Sequence, residues 1–291
     1  MTDLVVLTQP DAGSAGDEFD EALEILRRSA SVRVEQTSSP DELDEVLDRC
    51  DEPTLVIAGG DGTVHATLAA LHRRGELDRR RIGLLPMGTG NDFVRGNRIP
   101  LDVVEAARVV LAGRERPTDL VVDADDGIVV NSVHLGLGAE AARRGERWKE
   151  RFGRIGYPIG AVRSAVRPPS LRLRVEADAR LLHDGPGVRQ LVVGNADQVG
   201  GGTELAPDAR PDDGRFDVVL STPRGLRGLT GYLTDLVRGR HPSRDDVLSL
   251  RAREVTVSGE EFWCSADGEV SGPVRAAEWR IRPAAYRLIV P

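Results

Sequence analysis

Residues 54–65 read Thr-Leu-Val-Ile-Ala-Gly-Gly-Asp-Gly-Thr-Val-His, and their reading decides the fold. Leu55 to Ala58 is an unbroken apolar run, the composition of a strand buried on both faces. It stops at glycines and passes straight into Val64 to Leu71, a stretch of helical character. The order is strand, glycine turn, helix. Gly59, Gly60 and Gly62 carry no Cβ and can take positive φ, so successive backbone N–H groups can close on an anion while the helix start adds partial positive charge. Such a turn suits phosphate. Asp61 in its middle opposes an anion, and a divalent cation between carboxylate and phosphates resolves the conflict, which points to metal-dependent use of a nucleotide. Alone, the motif is better described as a tight turn with an acidic tip, and no Gly-Lys pair marks it as a Walker loop.

Working outward, Leu4 to Leu7 reads as a first buried strand, followed by the turn-rich loop Thr8 to Gly16. A helix with Phe19, Ala22, Leu23, Ile25 and Leu26 mainly on one face comes next, then a short strand at Val32 to Val34. Thr37 to Pro40 carries helix-capping residues, and Leu43, Val46 and Leu47 mark the apolar face behind them. On the other side, Ile82 to Pro86 gives another buried strand. A β-α-β-α order with short connections predicts a parallel sheet with right-handed crossovers, so the loops leaving the strands share one edge. That edge receives a second glycine turn, Met87-Gly88-Thr89-Gly90-Asn91-Asp92-Phe93. Two glycine turns, each with an Asp, then stand where open α/β sheets bind ligands.

From about Thr118 the pattern becomes β-rich. Val129-Val130, Leu171 to Val175, Leu191 to Val193, Phe216 to Leu220, Val255 to Val257, Trp279 to Ile281 and Leu288 to Val290 are short, partly alternating strands between turn signals, suited to packed antiparallel sheets. The expected architecture is α/β plus β: a Rossmann-like parallel domain over 1–120, then an antiparallel β-sandwich over 121–291 whose last strand, about 284–291, can return to the first domain. A length of 291 residues accommodates both. The net charge of −8 argues against a nucleic-acid partner. Without a basic leader or a long apolar run, the expectation is a cytoplasmic protein. Cys50 and Cys264 lack metal-ligand spacing and read as reduced thiols. Lys149 is the only lysine, so unless that one side chain is placed at the phosphates, their binding relies on arginine, backbone amides or metal. Between Arg143 and Arg167, eight cations face two acids with Trp148, Phe152 and Tyr157 interleaved, which fits either docking on an anionic membrane or a solvated amphipathic helix. A smaller basic stretch, Arg224 to Arg240, holds Leu226, Leu229, Tyr232, Leu233 and Leu236 at helical spacing. The oligomeric state is open, and a homodimer is compatible with the sequence.

Gly59-Gly60-Asp61-Gly62-Thr63 with Gly88-Thr89-Gly90-Asn91-Asp92-Phe93 resembles the diacylglycerol kinase catalytic-domain family, which includes bacterial lipid kinases and is related to sphingosine kinases and, more distantly, NAD kinases. The likeness extends to Asn131–Gly138, to the later signature between Gly200 and Asp217, and to Asp267-Gly268-Glu269. It implies a kinase taking ATP and Mg²⁺, with a lipid as phosphoryl acceptor and peripheral contact with the inner membrane face. It adds Gln9, Pro10, Asp11, Ala12, Gly13, Thr37 and Thr89 as nucleotide contacts beside Gly59, Gly60, Asp61, Gly62, Thr63, Gly88, Asn91 and Asp92. Asp61 and Asp92 are candidates for the catalytic Mg²⁺, Asp92 being equally readable as a helix N-cap. Asp267-Gly268-Glu269 is by itself an ordinary turn, but in the family the matching motif faces the nucleotide loops and supplies the base. That makes Glu269 the proton acceptor, with Asp267 second for an acidic or metal-linked role. Asp212-Asp213-Gly214 reads as a surface turn; the resemblance implies a structural metal held by the Asp213 side chain and the carbonyls of Arg210 and Arg215. Three positions depart from the family. His65 and Ala66 stand where Asn-Glu is common, and Gln9 replaces Asn before Pro10. The loss of an acid at Ala66 keeps two other readings open, phosphorylation of a soluble acceptor as in NAD kinases and nucleotide or lipid binding without catalysis.

Overall fold

A computed structural model describes residues 2–9, 16–152, 170–196, 198–199 and 203–291. The N-terminal part alternates β1 (Thr2–Thr8), α1 (Gly16–Ser29), β2 (Ala30–Gln36), α2 (Pro40–Arg49), β3 (Thr54–Gly59), α3 (Asp61–Arg73) and β4 (Arg81–Pro86). Its strands are parallel in the order β4-β3-β1-β2. The chain runs from β1 to one side and returns to the other for β3, so the sheet reverses its winding between β1 and β3, and a crevice opens at their carboxyl ends. Local chemistry supports these elements. Ser39 caps α2 by accepting the Glu42 N–H at 3.2 Å, while the Glu42 carboxylate accepts the Ser38 N–H at 2.7 Å. All six residues of β3 are buried, as expected for a strand covered on both faces.

After α4 (Asp92–Gly96) and α5 (Val103–Ala112), the chain becomes antiparallel: β5 (Arg114–Asp123), β6 (Ile128–Val129), β7 (Ser132–Gly136), then α6 (Leu137–Phe152) and β8 (Leu171–Ala177) to β10 (Gln190–Gly194), with β9 as Arg180–Val188. The short pair β11 (Gln198–Val199) and β12 (Thr203–Glu204) precedes β13 (Phe216–Ser221), α7 (Gly225–Val237), β14 (Val247–Ala252), β15 (Glu254–Ala266) and β16 (Glu269–Val290). Strands β14, β13, β10, β7, β15 and β16 lie in that order, and β16 then pairs parallel with β4 through Arg287↔Arg81 and Leu288↔Ile82. β16 thereby belongs to two cores. Trp279 and Ile281 pack with Phe216 and Phe262, whereas Tyr286, Leu288 and Val290 pack with Leu55, Leu84 and Leu85.

Two sequence expectations are corrected here. Trp279–Ile281 and Leu288–Val290 are one 22-residue strand, because β5 pairs with both halves and bridges the irregularity between Arg282 and Tyr286, where Ala284 takes φ 48°. The glycines of the first turn are not at positive φ; Gly60 has φ −102°.

Candidate active site

β3 and β4 end side by side, with Gly59 opposite Pro86, so both glycine turns leave the same rim. The turns touch through their backbones. A Cβ on Gly88 would lie 2.5 Å from the Gly60 Cα, and one on Gly59 would lie 2.4 Å from the Thr63 hydroxyl. Close approach, not left-handed backbone, is what demands glycine there. Asp61 ties the two turns together: its carboxylate accepts the N–H groups of Asp92 at 3.1 Å and Phe93 at 2.9 Å, the first turn of α4. The residue preceding α4 is Asn91, at φ 53°, whose side chain closes its own turn by accepting the Gly88 N–H at 3.1 Å and donating to the Gly88 carbonyl at 2.8 Å. Asp92 is therefore not the N-cap; an acid from the other turn does that work. At the start of α3, Thr63 and Val64 donate to the Gly60 carbonyl at 3.0 and 3.1 Å, and Gly62 is exposed, with open space where a Cβ would stand. The rim offers an exposed helix start to an anion.

The opposite wall is the β15–β16 hairpin. Asp267 (φ 48°) and Gly268 (φ 92°) form its two-residue turn, and positive φ at both is what a type I′ hairpin requires. The Asp267 side chain, 3% exposed, accepts the N–H groups of Val130 at 2.7 Å, Asn131 at 2.8 Å and Ser132 at 3.2 Å. Its Oδ2 also lies 2.9 Å from His65 Nδ1 on α3. A carboxylate saturated by these donors positions its surroundings and has little capacity left to take a proton from a substrate. Glu269, one residue beyond the turn, is exposed. The hydrogen bond to Asp267 raises the His65 imidazole above its ordinary value; burial opposes this, and the charges of Asp267 and Glu269 add to it. Behind them, burial pushes His134 down to about 4, with the Ser132 hydroxyl 2.9 Å from its Nε2.

Of the other expected nucleotide contacts, Gln9 directly follows β1 at the same edge, and Thr37 is buried, its N–H donating to the Thr8 carbonyl at 2.9 Å. Thr89 is exposed on the second turn. Pro10, Asp11, Ala12 and Gly13 lie outside the described residues. So does most of the basic segment 143–167; Arg143 and Arg144 both pair with Glu140, at 2.9 and 2.6 Å, and the Arg143 guanidinium lies over the Trp263 ring at 5.2 Å. In the second basic stretch, α7 buries Leu229 and Tyr232 and leaves Leu226 exposed. No helix among the described residues is long and apolar enough to cross a membrane.

The chain matches the diacylglycerol kinase catalytic domain over residues 3–122 and the YegS C-terminal NAD kinase beta sandwich-like domain over residues 131–290. It belongs to the diacylglycerol kinase catalytic-domain family. Among its relatives, a Staphylococcus carnosus diacylglycerol kinase is 27% identical over 78% of this chain and 73% of its own length. A Klebsiella pneumoniae protein named "Probable lipid kinase YegS-like" is 31% identical over 74% of this chain and 72% of its own. In fold, a diacylglycerol kinase from Bacillus anthracis superimposes with a TM-score of 0.80 at 19% identity, covering 100% of this chain and 97% of that one. An Archaeoglobus fulgidus NAD kinase, solved in complex with ATP, superimposes with a TM-score of 0.54 at 14% identity, covering 99% and 93%. The family is one of kinases acting on lipids.

Set against this family, the two implied metal positions differ. At the rim each Asp61 oxygen accepts one N–H and keeps a second lone pair, chemistry suited to a hard cation, with Asp92 on the adjoining turn; no group of three or more acidic, His or Cys side chains converges there among the described residues. In the 210–215 loop, Asp213 pairs with the Arg251 guanidinium and accepts the Arg215 N–H at 3.0 Å, while its Oδ2 is buried with no hydrogen-bond partner among the described residues. That loop is also held by Asp119, a residue the sequence did not single out. Buried, and with its carboxyl raised chiefly by that burial, Asp119 accepts the N–H groups of Gly214 at 2.6 Å and Ala284 at 2.8 Å. His65 was visible only as a departure from the family, and nothing local announces its partner 202 residues away.

Proposed function

We propose that this protein transfers the γ-phosphoryl group of ATP to a hydroxyl of a diacylglycerol-like lipid. The observation that carries the reading is the 2.9 Å contact between His65, on the helix that follows the glycine turn, and Asp267, on the hairpin that bears Glu269, so that an anion-binding rim and an accessible acid share one cleft. The nucleotide phosphates lie against the exposed start of α3 at Gly62, in the space a Cβ would fill. Asp61 and Asp92 would hold Mg²⁺, which supplies charge neutralisation on the phosphates. Glu269 takes the proton of the lipid hydroxyl as its oxygen bonds to the γ-phosphorus, and the bond from that phosphorus to the bridging oxygen breaks to release ADP. Asp267 fixes the hairpin. The acceptor reaches the cleft by peripheral contact with a membrane surface.

Radiolabelled ATP offered with diacylglycerol, phosphatidylglycerol or a sphingoid base in mixed micelles, and separately with NAD, tests the reading. Label is expected in a lipid and not in NAD. Glu269→Gln is expected to lower kcat by about 10²–10⁴-fold with ATP affinity retained. Label in NAD alone, or ATP binding without transfer to any lipid, ends the proposal.

A further inference from the structure

His65 lies one helical turn beyond Asp61 and faces the other domain. Asp267 uses its oxygens on four donors from two directions: three consecutive backbone N–H groups, Val130 to Ser132, where the second domain opens, and the His65 imidazole on the nucleotide helix. A carboxylate only accepts, so Nδ1 carries the proton and the tautomer is set by Asp267. The other ring nitrogen, Nε2, has no partner among the described residues, and the ring is 22% exposed. Glu269 is close enough for its charge to act on the ring. The charged and titratable groups around His65 are thus Asp267 and Glu269 on the hairpin, half-buried His134 on β7 and Asp61 on its own helix.

We propose that His65 is a positioning residue for phosphoryl transfer: its Nδ1–H bond to Asp267 locks the hairpin carrying Glu269 against the nucleotide helix, and so sets the distance between proton acceptor and γ-phosphate. This rests on the lipid-kinase reading above. The geometry makes one bond responsible for alignment across two domains, and misplacement of a catalytic group by about 1 Å costs on the order of 10²-fold. The function of the bond is a donated N–H. Asparagine, whose side-chain N–H₂ sits near the position of the imidazole Nδ1, can replace it; alanine cannot.

Two measurements decide. In lipid-kinase assays, His65→Ala is expected to lower kcat about tenfold or more with the KM for ATP unchanged, and His65→Asn to recover most of that loss. Independently of activity, amide hydrogen exchange at Val130, Asn131 and Ser132 is expected to quicken in His65→Ala and to stay near the wild-type rate in His65→Asn. Equal kcat in wild type and His65→Ala overturns the inference, as does equal loss in both variants. If wild-type protein phosphorylates no lipid, the lipid-kinase reading fails and the exchange experiment decides the bond alone: unchanged protection in His65→Ala removes the lock.

Discussion

Asp267 and Asp217 are both carboxylates in the β-rich half of the molecule, and both are 3% exposed, the first as a side chain and the second as a whole residue. They are treated in opposite ways. Asp267 collects three backbone N–H groups and an imidazole, and joins α3 to the β-rich half. The Oδ2 of Asp217 on β13 has no hydrogen-bond partner among the described residues, and burial, with the charge of Asp208 adding, pushes its carboxyl up to about 7. Burial of a carboxylate therefore means little by itself. What decides whether a buried carboxylate is a strut or a liability is the number of donors that reach it.

The sharpest way to break this contrast is to remove the strut. Asp267→Ala leaves three backbone N–H groups without their acceptor and His65 without its partner, and is expected to destabilise the fold by about 3–5 kcal/mol in urea unfolding. A loss under about 1 kcal/mol would show that water replaces the carboxylate at no cost, and the comparison would collapse. Asp267→Asn keeps the shape and one acceptor oxygen but turns an amide N–H₂ towards groups that are themselves donors. A smaller loss of about 1–3 kcal/mol is expected, and the difference between the two variants measures how much of the strut is charge.

How much of this was legible follows from range. The apolar run Leu55–Ala58 and the glycines after it declare a strand and a turn, because burial on both faces and the absence of Cβ are local properties. Why glycine is needed was not local: the Gly60–Gly88 contact brings together turns 28 residues apart, so positive φ was the natural but wrong expectation. Asp61 was readable as functional acid, yet its two N–H donors sit on the other turn. β16 looked like two strands because Pro283 and Ala284 interrupt its alternation, and only pairing with β5 carries it through. His65 shows the limit most plainly. Its helical position can be counted from Asp61, but its chemistry is set by a hairpin near the far end of the chain.

Asp217 supplies the gentlest test and the one whose sign is least intuitive. An unfolded Asp loses its proton near pH 4, whereas the folded carboxyl holds it up to about 7, so between those values the native state binds a proton that the unfolded state does not. Stability from this group is therefore fully present below the lower value and falls as pH rises towards 7, the reverse of a salt-bridged Asp. Asp217→Asn removes the ionisable group while keeping its size, so the variant lacks this slope. Melting temperatures at pH 5 and pH 8 are expected to show the variant gaining on wild type at the higher pH. If the difference is the same at both, Asp217 is ionised with a partner in the folded state, and it belongs with Asp267 after all.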